Sequence, residues 1–224
     1  MGKLIVVPTP IGNLKDITLR ALEVLKQVEV IACEDTRRTS RLLNHFNIQG
    51  KKLISYYEPV ERRRIPKILS LLREKDVALV SDAGMPSISD PGFLLIRRCV
   101  DEGIEVEVLP GPSSPITALV GSGLPTDRFI FFGFLPRKGL KRYIENLKNY
   151  EGFTLIFFES PTRILKTLGL FEEVFPDSDL CVARELTKIH EEYLRGKPGE
   201  ILKHLKAKKR IKGELILLAR LNHH

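Results

Sequence analysis

The chain has 224 residues and a formal net charge of +8, is 43% hydrophobic and 29% charged, and contains 16 Gly and 14 Pro. That balance excludes a disordered, collagenous or low-complexity chain. No apolar run approaches the roughly 20 residues of a membrane span, and Leu4–Val7 is too short for the apolar part of a signal peptide, so a cytoplasmic protein without membrane association is expected.

Cys33, Cys99 and Cys181 lie in or beside apolar segments without metal or redox spacing and read as reduced, buried thiols. His45, His190, His204, His223 and His224 show no ligand spacing with the cysteines or each other, so no metal is expected. His223 and His224 read as the remnant of a purification tag and carry no weight. Residues 1–112 hold 17 basic and 15 acidic side chains, residues 113–224 hold 19 and 13, and the isoelectric point is near 9.4. The excess of cations suits an anionic partner such as nucleic acid, with ordinary solvated surface as the alternative.

Short apolar runs alternate with helical patterns along the chain. The expected strands are Leu4–Pro8, Val28–Cys33, Lys52–Ser55, Val77–Ser81, Glu105–Leu109, Phe129–Gly133, Phe153–Phe158, Leu180–Arg184 and Glu214–Ala219. They alternate little between apolar and polar, as expected of strands covered on both faces. Leu19, Leu22 and Lys26 begin the first helical pattern; Ile65, Ile68, Leu69 and Leu72 share one helical face, and Ile164, Leu168 and Phe171 another. This order predicts an α/β protein with largely parallel sheets. Prolines and glycines crowd residues 110–126, which places a boundary between two α/β domains, 1–112 and 113–224. The second domain turns antiparallel where Leu180–Glu185 and Glu191–Leu194 form a hairpin around Lys188.

The least ordinary loops follow strands of the first domain: Pro8-Thr9-Pro10-Ile11-Gly12-Asn13, the stretch from Asp82-Ala83-Gly84-Met85-Pro86-Ser87-Ile88 to Ser89-Asp90-Pro91-Gly92, and Pro110-Gly111-Pro112-Ser113-Ser114. Ligands of open α/β sheets bind beyond the carboxyl ends of the strands, and turns stiffened by Pro and Gly there form a pocket rather than three unrelated connections. Neither a dinucleotide-binding Gly-x-Gly-x-x-Gly nor a Walker A loop is present.

The second strand runs into Glu34-Asp35-Thr36-Arg37-Arg38. Asp35 or Thr36 suits a helix cap, but arginines oppose the dipole of a helix start, which points Arg37 and Arg38 toward another task such as a phosphate. Glu159-Ser160-Pro161-Thr162-Arg163 ends a strand of the second domain, with Ser160 as cap and Pro161 in the first helical turn; Glu159 and Arg163 remain as ionisable groups. Arg184-Glu185-Leu186-Thr187-Lys188 ends the next strand. The runs Lys203–Lys212, Arg62–Arg64 and Arg137–Arg142 read as solvated surface first and as footing for RNA second.

Taken in register, the motifs from Pro8 to Leu14, Glu34–Arg37, Ser81–Pro86, Pro110–Ser114, Glu159–Pro161 and Arg184–Lys188 resemble the tetrapyrrole (corrin/porphyrin) methylase superfamily, in the branch that methylates small-subunit ribosomal RNA. The resemblance covers about Lys3 to Leu218. It implies a class III methyltransferase of two α/β domains with S-adenosylmethionine in the cleft between them, and a homodimer. It also implies methylation of a cytidine ribose 2′-hydroxyl at the decoding site of 16S rRNA in the small ribosomal subunit. By position, Pro8, Gly12, Asp82, Gly84, Met85, Pro86, Ile88, Ser113 and Ser114 are expected at the cofactor from the first half. Ala183, Arg184, Glu185, Gly213 and Glu214 are expected there from the second. Met85 stands where the superfamily motif has an aspartate, with Asp82 displaced upstream.

A ribose hydroxyl is a poor nucleophile at neutral pH, so a general base is expected among Glu34, Asp35, Asp82, Glu159 and Glu185, with Glu34, Asp35, Arg37 and Glu159 as the catalytic set. Arg37, Arg38, Arg163, Arg184 and Lys188 are expected on RNA phosphates. Two other readings stay open: a methyltransferase of the same superfamily acting on a corrin, another tetrapyrrole or a diphthamide precursor, and a non-catalytic RNA-binding assembly protein on the same fold.

Overall fold

The computed structural model describes residues 1–222; His223 and His224 lie outside the described residues. The chain divides after Ser113 into two compact units. In the first, β1 (Leu4–Val6), β2 (Val30–Cys33), β3 (Lys52–Ser55), β4 (Val77–Val80) and β5 (Val106–Val108) alternate with α1 (Leu19–Gln27), α2 (Thr36–His45), α3 (Glu61–Leu72) and α4 (Phe93–Asp101). The strands form one sheet in the order β3-β2-β4-β1-β5, parallel throughout.

Because side chains alternate across a strand, this sheet feeds two cores. Leu4, Val6, Val30, Ala32, Val77 and Leu79 pack with Ile65, Ile68, Leu69 and Leu72 of α3 and with Leu95 and Cys99 of α4. Ile5, Ile31, Cys33, Ala78 and Val80 pack with Ala21 and Leu25 of α1 and with Leu43 of α2. Both faces are therefore covered, which accounts for the absence of polar alternation in these strands. The first helix differs from its expected register. Leu19 is 78% exposed, and Ala21 and Leu25, four residues apart, carry the buried face. Thr18 caps it by accepting the Ala21 N–H at 3.0 Å.

The second unit holds α5 (Ser114–Ser122), β6 (Phe129–Phe134), α6 (Leu140–Glu145), β7 (Thr154–Glu159), α7 (Ile164–Val174), β8 (Asp179–Arg184), β9 (Glu192–Gly196), α8 (Pro198–Lys206) and β10 (Leu215–Arg220). Its sheet runs β6-β7-β10-β8-β9. Only β6 and β7 are parallel; β10 is antiparallel to both β7 and β8, and β8 to β9. The hairpin around Lys188 is present, and the antiparallel character extends further than the sequence suggests because β10 returns to the centre of the sheet. One face buries Leu155, Phe157, Val182 and Leu217 under α6, α7 and α8, while α5 lies against β10 and β8.

The pairings fix which loops share an edge. Leu215 pairs with both Glu159 and Arg184, and Arg184 with Glu192. The ends of β7 and β8 and the starts of β9 and β10 therefore lie along one edge of the sheet, and β6, parallel to β7, ends there too.

Candidate active site

All five strands of the first sheet end on one edge, and three of their loops meet there. Thr9, after β1, and Gly84, after β4, exchange main-chain hydrogen bonds at 3.0 and 2.9 Å. Thr9 Oγ1 donates to the Ser81 carbonyl at 3.2 Å. Gly84 has φ +82°, and a Cβ added to it would stand 3.2 Å from Ile11 Cγ2 and 3.8 Å from the Pro112 carbonyl oxygen. Glycine is thus needed for conformation and for space, where the loops after β1, β4 and β5 converge. At Gly111 a Cβ would meet Pro8 Cγ at 2.4 Å, so the first and last of these loops are also in contact. Ser87 and Ser89 adopt φ of 73° and 62°, an unfavourable region for residues with a Cβ.

Beside this convergence sit four carboxylates and two guanidinium groups. Asp35 caps α2: its Oδ1 accepts the Arg37 N–H at 2.8 Å, and its two oxygens accept from Arg37 Nε and Nη2 at 3.1 and 2.8 Å. That grip holds the Asp35 carboxyl well below the usual range. The Asp82 carboxylate accepts the Asp35 N–H at 3.0 Å and faces Arg38 Nε at 3.4 Å. Glu34 Oε2 accepts the Asp82 N–H at 3.4 Å.

Glu34 is half-buried, and burial, followed by the neighbouring Asp82 charge, pushes its carboxyl up. Asp90 is pushed up to about 6 by burial and then by Glu34. With Asp35 already committed to Arg37, Glu34 is the better-suited proton acceptor of the adjacent pair. A shallow cleft here is lined by Thr9, Pro10, Arg38, Thr39, Leu42, Ser81 and Asp82.

The expected cofactor residues of this unit separate by orientation. Pro8, Gly84 and Pro86 are buried, Gly12 and Ile88 are exposed, and Ser113 is half-buried after β5, whereas Ser114 opens α5 in the second unit. Met85 packs its side chain on the core beneath the sheet, so it leaves the carboxylates of the rim to other residues. Asp90 has no role in the sequence reading, since Ser89-Asp90-Pro91-Gly92 reads as turn chemistry, and Thr9 and Ser81 enter it only as members of the loop motifs.

In the second unit Glu159 is 3% exposed. Its oxygens accept from the Ser160 N–H at 2.8 Å and the Thr167 hydroxyl at 2.7 Å, and Arg163 Nε lies 3.5 Å away. Arg163 donates to the carbonyls of Leu135 and Pro136 at 3.1 and 2.7 Å. Both residues are spent within the fold, tying the ends of β6 and β7 to α7. Pro161 falls in the turn before α7 rather than in its first turn, since the helix begins at Ile164.

Ala183 is buried in β8. Arg184 donates to Glu192 at 3.0 Å and to the Lys212 carbonyl at 3.3 Å. Lys188 Nζ donates to Glu185 at 3.0 Å and Glu214 at 3.1 Å. Burial pushes Glu185 up, but the Glu214 N–H and Lys188 outweigh it and hold its carboxyl below the ordinary value. Gly213, with φ +92°, lies flat against the Glu185 carboxyl, where a Cβ would come within 2.4 Å. Ala183, Arg184, Glu185, Gly213 and Glu214 thus form one cluster, while the cations expected on RNA, Arg184 and Lys188, are already paired.

Comparison with known proteins identifies the class of the chain. Residues 3–202 match the family of Tetrapyrrole (Corrin/Porphyrin) Methylases. The chain is 57% identical over 217 residues to the Ribosomal RNA small subunit methyltransferase I of Hydrogenobaculum sp. (strain Y04AAS1), covering 96% of this chain and 94% of the relative. It is 51% identical over 220 residues to the protein of the same name from Thermotoga maritima, covering 97% and 98%. A uroporphyrin III C-methyltransferase from Thermus thermophilus shares the fold, with a TM-score of 0.65 over 98% of this chain and 97% of that one at 17% identity.

The chain belongs to the tetrapyrrole methylase family, within the group of ribosomal RNA small subunit methyltransferase I proteins, and is a methyltransferase. Among the described residues no helix is long and apolar enough to cross a membrane.

Proposed function

We propose that this chain uses S-adenosylmethionine to methylate the ribose 2′-hydroxyl of a cytidine in 16S rRNA at the decoding site, acting as a cytoplasmic homodimer. The names of relatives at 57% and 51% identity support the small-subunit rRNA as substrate. The observation that carries the chemistry is the grouping of Glu34, Asp82 and Asp90 beside the loops that close on Gly84.

The donor fits this site. S-adenosylmethionine supplies a methyl group made electrophilic by a sulfonium, so no metal or covalent enzyme intermediate is required. Its sulfonium and ammonium are cationic, and the group of four carboxylates with two arginines has an excess of acids to receive them. Gly84 and Pro86 bring main chain close to the rim, and Asp82 and Asp90 would hold the cationic end.

Glu34 is the general base in this reading. It would accept the proton of the 2′-hydroxyl as that oxygen takes the methyl group and the sulfur–methyl bond breaks, the donor leaving as a neutral thioether, a contribution of about 10²–10⁴ in rate. Asp35 and Arg37 position it by fixing the start of α2, and alignment of the hydroxyl supplies much of the remaining acceleration.

The test is methyl transfer from labelled S-adenosylmethionine to 30S subunits lacking the modification, followed by mass spectrometry of the 16S rRNA. One 2′-O-methylated cytidine is expected. Label on a base carbon or nitrogen, or transfer to precorrin substrates and none to 30S subunits, would overturn the reading.

A further inference from the structure

Subtracting every cation that already has a partner changes which face of the second unit can hold a polyanion. Arg163 serves two carbonyls and Glu159, Arg184 serves Glu192, and Lys188 serves Glu185 and Glu214. Lys208 shares the Glu192 carboxylate with Arg184. What remains along the same edge is Arg137 and Lys138, after β6, and Lys209, Arg210 and Lys212, before β10. All five are exposed and form no ion pair among the described residues. Of the acids at this edge, Glu185 and Glu214 share Lys188, Glu192 holds Arg184 and Lys208, and the exposed Glu191 accepts the Thr187 N–H.

At the β8–β9 end of the row, the loop Glu185–Glu191 presents Ile189 at 96% exposure. The loop is held in shape by two successive turns, Lys188 N–H to the Glu185 carbonyl and Glu191 N–H to the Lys188 carbonyl, each at 3.0 Å. The Glu191 carboxylate also accepts the Thr187 N–H at 2.6 Å. A lone exposed isoleucine is ordinary; one held on a braced tip at the end of a row of uncompensated cations matches a ligand that is anionic along its backbone and apolar on its unstacked faces.

On the reading that rRNA is the substrate, we infer that this sheet edge grips the RNA: Arg137, Lys138, Lys209, Arg210 and Lys212 hold the phosphates and Ile189 packs on an unstacked base. Arg163, Arg184 and Lys188 instead brace the edge from within. Phosphate neutralisation releases counterions, so the grip has a salt signature that a structural role would not produce.

The experiment compares the full chain with K209A/R210A/K212A, with Ile189→Ser, and with R62A/R63A/K67A, which removes three exposed unpaired cations of α3. The probes are a fluorescein-labelled RNA hairpin with an internal loop of unpaired cytidines and a fully paired RNA duplex. The triple variant of the edge should lower the slope of log affinity against log salt by about 2, and the α3 variant should leave it unchanged. Ile189→Ser should weaken hairpin binding about fivefold to tenfold, leave duplex binding alone and keep the slope.

An unchanged slope in the edge variant, an equal fall in the α3 variant, or Ile189→Ser acting equally on hairpin and duplex would overturn the inference. Methyl transfer to 30S subunits by the unaltered chain is measured alongside. Transfer with an unchanged slope in the edge variant sinks the grip alone; no transfer sinks the substrate reading instead.

Discussion

The Asp82 carboxylate accepts the main-chain N–H of Asp35 at 3.0 Å, while the Asp82 N–H is directed at Glu34 Oε2 at 3.4 Å. The loop after β4 is thereby stitched to the end of β2, and a second negative charge stands against Glu34. Asp82→Asn keeps an oxygen for the Asp35 N–H and removes that charge. The Glu34 carboxyl should then titrate lower, moving the acid limb of the kcat/KM profile to lower pH. A limb that stays in place would remove Glu34 as the base.

Glu34 and Asp35 are neighbours with opposed environments, one pushed up by burial and the other held far down by Arg37. Glu34→Gln should lower kcat by about 10²–10⁴ while calorimetry finds donor affinity unchanged. Asp35→Asn keeps a capping oxygen and should cost far less activity. The reverse ranking would transfer the proton to Asp35.

Asp90 carries its carboxyl up to about 6 from a reference of 3.8, so the fold disfavours its ionised form. The sign follows from linkage: relative to a chain without this group, stability is gained as pH falls through 6 and is complete below 3.8. Asp90→Asn should therefore melt higher than the parent at neutral pH, with the advantage shrinking across that window. Differential scanning calorimetry at several pH values reads it, and a lower melting temperature at neutral pH would contradict it.

Glu159 holds the Ser160 N–H, the Thr167 hydroxyl and Arg163 together at the end of β7. Its replacement by alanine strands the Thr167 hydroxyl and loosens Arg163, and should cost about 2–3 kcal/mol in urea unfolding. Donor affinity per folded molecule should change little. A loss of stability under about 0.5 kcal/mol, the range of a surface change, would show the carboxylate to be dispensable to the fold.

Much of the fold was legible because the strands are apolar and short and their order alternates with helices. Lys52–Ser55 matches to the residue, and every other strand end falls within two residues of its expected place. The face of α1 was not legible: Leu19 is apolar, yet the buried stripe runs through the small Ala21, chosen by proximity to the sheet rather than by hydrophobicity. The crowding of Pro and Gly marked the loops that meet at Gly84, but not Asp90, whose neighbours disguise it as a turn. The pairing of the cations was not legible for a different reason. Arg184 meets Glu192 only through strand register, and Arg163 meets two carbonyls from β6's exit, so the bound and the uncommitted charges cannot be sorted along a linear chain.

The three thiols have a practical consequence. Cys33 and Cys99 are sealed in the first unit and Cys181 in the second, all at 0% exposure, and burial pushes each up to about 11. Alkylating reagents need both access and thiolate, so modification at each cysteine becomes a clock for the opening of its own half of the molecule. Peptide mapping after timed exposure to iodoacetamide would report, without any introduced label, whether the two halves open together or in turn.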